Sequence, residues 1–336
     1  MLKPRRSAPE ALPPLETIIP DTIALFQPGR LGDMILTTPL FHALKTQFPA
    51  THLTVIASEA SALIPSSQNV VDRVITLPGG LLRQIPFLAS TLRATAFDLY
   101  IDIKDHRSTT SRLVAEIVHA HRMIGHRTAI GSHAGGSELP VPLPPGHYVD
   151  SALAPMELLA PGCRFSRRPT LEIPTAAYRA VDEQLDPGEH GMVAINISAG
   201  DPSRYWTPEK WRALIGELSR RFNVVVLAAP DDRELADEIC TTRRTARTVR
   251  TDSILEAAAV VDRARVVISP DTSIVHIASA RNRPCVGLYP PGNENAARFA
   301  PLSDRHRVLM PAQEETLAAI PLEAVYEAVL ALAGTE

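Results

Sequence analysis

Cysteine is scarce and badly spaced for cross-linking. Cys163, Cys240 and Cys285 are the only three in 336 residues. Odd in number and far apart, they offer neither a disulfide framework nor metal-ligand spacing, as expected in a reducing compartment. Long apolar runs are missing too, and none approaches the roughly 20 residues that a bilayer-spanning helix needs. The first stretch, Met1 to Pro20, is rich in proline and lacks the apolar centre of a signal peptide. The expectation is a cytoplasmic protein whose membrane contact, if any, is peripheral. No Asp-x-Asp pair and no His/Cys/Asp cluster with ligand spacing appears, so no metal is expected. Net charge is only −3, and bulk charge gives no reason to expect nucleic acid.

What is present is a globular composition, 45% hydrophobic and 21% charged, in a chain long enough for two domains of about 150 residues each. Thr22–Gln27 reads as a strand, followed by the turn Pro28-Gly-Arg-Leu-Gly-Asp33 and a helix to about Gln47. Pro39 falls inside that helix and marks either a kink or a late start. Strands over Leu53–Ala57, Arg73–Leu77 and Leu99–Ile103 alternate with helical stretches, the pattern of a parallel sheet covered by helices.

The character changes around Pro161–Pro174, and a second alternating series begins at Met192–Ile197. Thr207 is a good N-cap with Pro208 at the first helical position, and Trp211, Leu214, Ile215, Leu218 and Phe222 share one apolar face. Asn223–Ala229, Val266–Ser269 and Cys285–Tyr289 supply further strands, and a last helix over Leu322–Leu332 could close either domain. The expected organisation is a flexible Pro-rich tail over 1–20, an α/β domain over 21–165, a linker over 166–190, a second α/β domain over 191–315 and a C-terminal helix over 316–336.

Two α/β domains leave a cleft between the carboxyl ends of their strands, where ligands of such sheets bind. The loops Pro28–Asp33, Ser198–Tyr205 and Pro270–Ser273 follow strands and precede helices, so all three should open toward it. In the last of them, Asp271, Thr272 and Ser273 stand at a helix start, whose unpaired amides suit a phosphate. His276 comes one turn later, so hydroxyls and imidazole can converge on one side; an ordinary N-cap with a core histidine is the alternative. Between Lys104 and Arg127 basic residues outnumber acids, and the stretch faces either an anionic substrate or lipid headgroups, or is a solvated helix face.

Three ordered segments resemble glycosyltransferase family 9, the ADP-heptose:lipopolysaccharide heptosyltransferases. They are Arg30-Leu-Gly-Asp33 with Thr37-Thr-Pro39, then Arg204-Tyr-Trp206 with Trp211, then Asp271-Thr-Ser with His276, Ala278, Ala280 and Pro284. The resemblance implies the glycosyltransferase-B fold, two Rossmann-like domains, with acceptor bound by the first and nucleotide sugar by the second.

It also implies roles. Asp33 matches the family's catalytic base and could take the proton of an acceptor hydroxyl, though an N-cap carboxylate would look the same. A helix start would lower its pKa and keep it ionised. Gly29 and Gly32 allow a tight turn and close approach to a ligand, with Arg30, Lys104 and Arg107 on the acceptor side. Arg204 stands where the family usually has a phosphate-binding lysine, and its fork can engage two phosphate oxygens, or it is a free surface arginine. Asp271, Thr272, Ser273 and His276 match the donor motif, with Ser273 where glycine is usual. Asp231 and Asp232 follow a strand, where an acid bonds ribose hydroxyls or caps a helix. Trp206 and Trp211 are read as packing residues.

The expected activity is therefore inverting glycosyl transfer from a nucleotide sugar to a lipopolysaccharide-core or related glycolipid, at the cytoplasmic face of the inner membrane. No metal or other cofactor is expected; Arg204, helix-start amides and His276 would stabilise the departing diphosphate. Three alternatives differ in class: a nucleotide-sugar epimerase of the same fold, a non-catalytic nucleotide-sugar-binding protein, and a dinucleotide-dependent oxidoreductase. The last is disfavoured because Pro28–Asp33 lacks the full Gly-x-Gly-x-x-Gly pattern.

Overall fold

The computed structural model describes residues 19–92, 95–106, 108–126, 138–185, 192–240, 246–313 and 315–334. The first half runs β1 (Thr22–Gln27), α1 (Leu31–Gln47), β2 (His52–Ser58), α2 (Leu63–Ser66), β3 (Arg73–Leu77), α3 (Leu81–Thr91), β4 (Ala96–Asp102), α4 (Thr109–Ile117), β5 (His119–His126), β6 (Glu138–Val141), α5 (Tyr148–Leu153) and α6 (Met156–Leu159). The helix α7 (Thr175–Asp182) leads into the second half: β7 (Val193–Asn196), α8 (Pro208–Leu218), β8 (Val224–Leu227), α9 (Arg233–Cys240), β9 (Ala246–Thr248), α10 (Ile254–Arg263), β10 (Val266–Pro270), α11 (Ser273–Ala280), β11 (Cys285–Leu288), α12 (Asn293–Phe299), β12 (His306–Leu309) and α13 (Leu322–Ala333).

Among the described residues the strands form two six-stranded sheets, ordered β3-β2-β1-β4-β5-β6 and β12-β11-β10-β7-β8-β9. Every pairing is parallel. Counted from its own first strand, each sheet has the doubly wound order 3-2-1-4-5-6, with a topological switch between β1 and β4 and another between β7 and β10. The central strands are buried along nearly their whole length, which is why they read as unbroken apolar runs.

The strands not foreseen from sequence lie toward the sheet margins. β5 carries His119, His121 and Arg122 among its apolar residues, β9 has three residues, and β12 begins with His306 and Arg307. Half-solvated strands mix polar side chains into the pattern and lose the signal that buried ones keep.

Pro39 does not delay α1, since the helix begins at Leu31 and runs through it to Gln47. Proline cannot donate to the Ile35 carbonyl four residues back, but Thr38 Oγ1 donates to that oxygen at 2.8 Å and satisfies it. The helix α7, inside the stretch read as linker, packs on α10. Tyr178 donates to Asp262 Oδ2 at 2.6 Å, and the Arg263 guanidinium lies 4.6 Å from the Tyr178 ring centre. The last helix, α13, settles on the second sheet and on α8.

One apolar core runs from Ile23, Leu25 and Met34 of the first half to Val275 and Ile277 of the second, so the halves share a greasy seam. A second core, within the C-terminal half, is built on Trp206 and Trp211, packed edge to face at 4.8 Å and 82°. Trp206 Nε1 also donates to Ile320 O at 3.1 Å, tying the loop after β7 to the lead-in of α13. Both indoles are packing residues. Trp206→Ala should therefore lower unfolding free energy by ~3–5 kcal/mol, the usual cost of emptying such a site. A urea midpoint within error of wild type would contradict it.

Candidate active site

The two switch points aim four loops at one cleft. The loops after β1 and β4 carry Gly29–Asp33 and Lys104–Asp105; those after β7 and β10 carry Arg204 and Asp271–Ser273. The starts of α1 and α11 meet across it. A β-carbon on Gly32 would lie 2.8 Å from His276 Cδ2 and 3.9 Å from Ser273 Cα, so only glycine lets the two helix starts approach this closely.

Asp33 stands in the first turn of α1. Its Oδ2 accepts from the Arg30 amide at 3.2 Å, a helix-capping bond. Sequence reasoning placed its pKa low, but the structure reverses that direction. Burial raises it above the ordinary 3.8, and the negative charge of Asp105 adds to the rise. The Arg30 amide and the charges of Arg30 and Lys104 only partly offset this. A raised pKa makes Asp33 a stronger base. Arg30 is exposed and Lys104 half-buried beside the carboxylate; Arg107 lies outside the described residues.

Lys104 is held by its neighbour. Asp102 ends β4 almost fully buried, and its Oδ1 accepts from the Lys104 amide at 2.9 Å. Burial lifts the Asp102 pKa to about 6 despite that bond. Asp105, one residue further, pairs with Arg298 of α12 across the domain seam. Elsewhere in the basic stretch, Arg112 pairs with Glu116 on a solvated face of α4 and does not join the cleft.

On the opposite wall, Asp201 caps the short turn Pro202–Arg204 by accepting from Ser203 N at 2.9 Å. That turn presents Arg204 to Asp271. Nη1 donates to the Asp271 carbonyl at 3.3 Å and lies 3.1 Å from Oδ2, an ion-pair contact without the alignment of a hydrogen bond. Burial raises the Asp271 pKa, Arg204 lowers it, and the charge of Asp33 across the cleft raises it again. The helix cap is Thr272 rather than Asp271: Thr272 Oγ1 accepts from Ile274 N at 3.3 Å. Asn196, at the end of β7, cross-links this wall. Its Nδ2 donates to Ser269 Oγ at 3.0 Å and Thr272 Oγ1 at 3.2 Å.

Next to this wall lies a cavity of about 600 Å³. Thr272 and Ser273 line it, as do Asp231 and Asp232, while Leu31 closes it from the first domain. Tyr205 donates to Asp232 Oδ2 at 2.9 Å across its mouth. Ile254 and Ala257 of α10 with Leu227 and Ala228 give it an apolar side, suited to a flat ring.

Sequence reasoning missed the contribution of α10, although its signal was present. Ser253 is its N-cap, with Ser253 Oγ accepting from Glu256 N at 3.2 Å, and Glu256 Oε2 reaches back to accept from Asp252 N at 2.7 Å. Asn196 and Arg298 were missed as well; nothing local marks either residue.

His276 does not converge with the hydroxyls of Thr272 and Ser273. Its ring is buried in the domain seam against Gly32 and 6.3 Å from the Phe299 ring, with Nδ1 unpartnered among the described residues. Burial, helped by the charge of His147, holds its pKa at about 3, so the imidazole is neutral and cannot serve as a cation for phosphate.

Among the described residues no group of three or more His, Cys, Asp or Glu is placed to hold a metal ion. Nor, among them, is any helix long and apolar enough to cross a membrane.

The model of glycosyltransferase family 9 (heptosyltransferase) matches residues 87–320. Lipopolysaccharide heptosyltransferase 3 of Escherichia coli is 26% identical over 274 residues, covering 77% of this chain and 80% of that protein. A family 9 glycosyl transferase from Veillonella parvula superposes with a TM-score of 0.82 at 20% identity, over 93% of this chain and 97% of that one. The E. coli heptosyltransferase WaaC with ADP superposes with a TM-score of 0.72 at 20% identity, over 92% and 98%. Both neighbours carry the same two-domain glycosyltransferase-B fold.

Two outcomes test the seam. Gly32→Ala should force the helix starts apart and lower stability by ~1–3 kcal/mol, the range for overpacking; an unchanged denaturation midpoint would show the seam to be looser than its geometry. The second concerns pH. Because the folded pKa of His276 lies at about 3 against the ordinary 6.5, the unfolded chain takes up the proton first on acidification. The fold should lose up to ~1.4 kcal/mol per pH unit from this group as pH falls from about 6.5. His276→Gln should flatten that slope in urea titrations, whereas equal slopes would mean the native imidazole is protonated.

Proposed function

The chain belongs to glycosyltransferase family 9 and is a glycosyltransferase of heptosyltransferase type; from that premise we propose that it transfers a sugar from a nucleoside diphosphate donor by a single inverting displacement, with Asp33 as base. The observation that carries this reading is the placement of one half-buried carboxylate, with raised pKa, across the cleft from an arginine and a helix start. Asp33 removes the proton as an acceptor hydroxyl attacks the anomeric carbon. The bond from that carbon to the diphosphate oxygen breaks, and the departing charge is met by Arg204 and by the amides at Thr272–Ser273.

The donor's nucleoside fits the neighbouring cavity, its ring against Ile254 and Ala257 and its ribose hydroxyls near Asp231 and Asp232. ADP, present with the related WaaC, is the nucleotide we propose, with a heptose as the sugar. The acceptor is a lipopolysaccharide-core or related glycolipid, its anionic groups facing Arg30 and Lys104. On this reading the reaction runs at the cytoplasmic face of the inner membrane, with contact made through the acceptor. No metal is assigned a role, so activity should survive EDTA.

Asp33→Asn should lower kcat by roughly 10²–10⁴ while donor affinity holds. Wild-type kcat/KM should fall on acidification along a limb above the ordinary aspartate value of 3.8, because protonation removes the base. Arg204→Ala should raise donor KM about tenfold to a hundredfold, as loss of a charge-assisted contact predicts. Full turnover by Asp33→Asn, or consumption of the nucleotide sugar with no acceptor present, would sink the reading.

A further inference from the structure

Gln27 ends β1 and is 1% exposed, yet both polar atoms of its amide are engaged. Its Oε1 accepts from the Gly29 amide at 2.9 Å. Its Nε2 donates to Thr37 Oγ1 at 3.2 Å and to the Tyr148 hydroxyl at 2.8 Å. The orientation of the amide follows from chemistry, because the Gly29 N–H can only donate. Thr37 Oγ1 in turn donates to the Asp33 carbonyl at 2.8 Å.

One side chain thus grips both ends of the loop that carries the base: the turn at Gly29 and the first turn of α1. A β-carbon on Gly29 would sit 2.7 Å from Gln27 Oε1 and 2.8 Å from Asp33 Oδ2, so the amide oxygen and the carboxylate face the same point. The other end of the chain of bonds lies at the domain seam. Tyr148 stacks on Phe299 at 5.8 Å and 27°. The Arg298 guanidinium lies 5.7 Å from the Tyr148 ring and pairs with Asp105.

We infer that Gln27 is a positioning residue for the base: it sets the direction of the Asp33 carboxylate, and Tyr148 ties that setting to the packing of the second domain. Gln27 itself, 1% exposed and with its side chain bonded to Gly29, Thr37 and Tyr148, is closed off from the cleft and acts through Asp33. A buried primary amide at this place supplies one acceptor and two donors in a fixed plane, which no apolar side chain can imitate. Displacing a catalytic group by about 1 Å can cost on the order of 10² in rate, so the effect should appear in kcat and not in donor binding.

The inference rests on the reading of Asp33 as base, and a double-mutant cycle separates the two. Gln27→Met, of similar length and without the amide, should lower kcat by about 10–100-fold with donor KM within about twofold of wild type. In the Asp33→Asn background the same substitution should change the residual kcat by less than about twofold, because a residue acting through Asp33 has nothing left to position. If Asp33→Asn is slow but the two losses add, or if Gln27→Met turns over at the wild-type rate, the role of Gln27 is overturned and the base stands. If Asp33→Asn is fully active, base and positioning residue fall together. Should Gln27→Met not fold, Tyr148→Phe carries the same cycle. It keeps the stack on Phe299 and removes one hydroxyl, and its loss in kcat must likewise vanish without Asp33.

Discussion

The contact between Gly32 and His276 is the constraint on which the rest of the site depends. Two helix starts, one from each domain, approach until no methyl fits between them. This brings Asp33, one residue beyond Gly32, into the electrostatic reach of Asp271, and it lays Leu31 over the cavity of the second domain. Each helix start carries partial positive charge, so a pair of them at one cleft favours an anionic ligand between them. The apolar core that crosses the seam runs beneath this close approach, and the Asp105–Arg298 pair spans the seam beside it.

Those polar groups divide by how much water they keep. His276, buried in the seam, is neutral and packs like an apolar ring. Asp33, half-buried, and Asp271, buried at the other wall of the cleft, have pKa values raised by burial and lowered in part by cationic neighbours, Arg30 and Lys104 for the first and Arg204 for the second. Asp262, between Arg281 and Arg283 on the far side of α10, is held down at about 2 by those charges and by the Tyr178 hydroxyl. The same residue type thus carries a raised pKa beside the cleft and a lowered one in an ion-paired anchor away from it, and desolvation against charge decides which.

Much of the fold was legible because the central strands are buried on both faces and read as apolar runs; Thr22–Gln27 and Val266–Pro270 were recoverable to within a residue or so. Helix starts were legible where a side chain caps its own turn, as at Thr207–Pro208. Edge strands were not, since a half-solvated strand such as His306–Leu309 carries no clear alternation. Within the site, the residues of the turn Pro28–Asp33 and of the helix start Thr272–Ser273 stood out by spacing. Asn196 and Gln27 did not, because an amide ending an apolar strand has no local partner to announce it.

By itself the sequence determined what short-range forces decide: the alternation of strands and helices, the capped helix starts, and the glycines that allow tight turns after β1. Such interactions span a few residues and are written wholly in them. Only the tertiary structure decided which of these elements meet. Gln27 bonds Tyr148 at a separation of 121 residues, and Arg298 reaches Asp105 across 193. It also decided charge. A helix start alone predicts a low pKa for Asp33 and leaves His276 able to ionise, but burial reverses the first and forbids the second. Desolvation is a property of everything packed around a group, and no local stretch of sequence contains it.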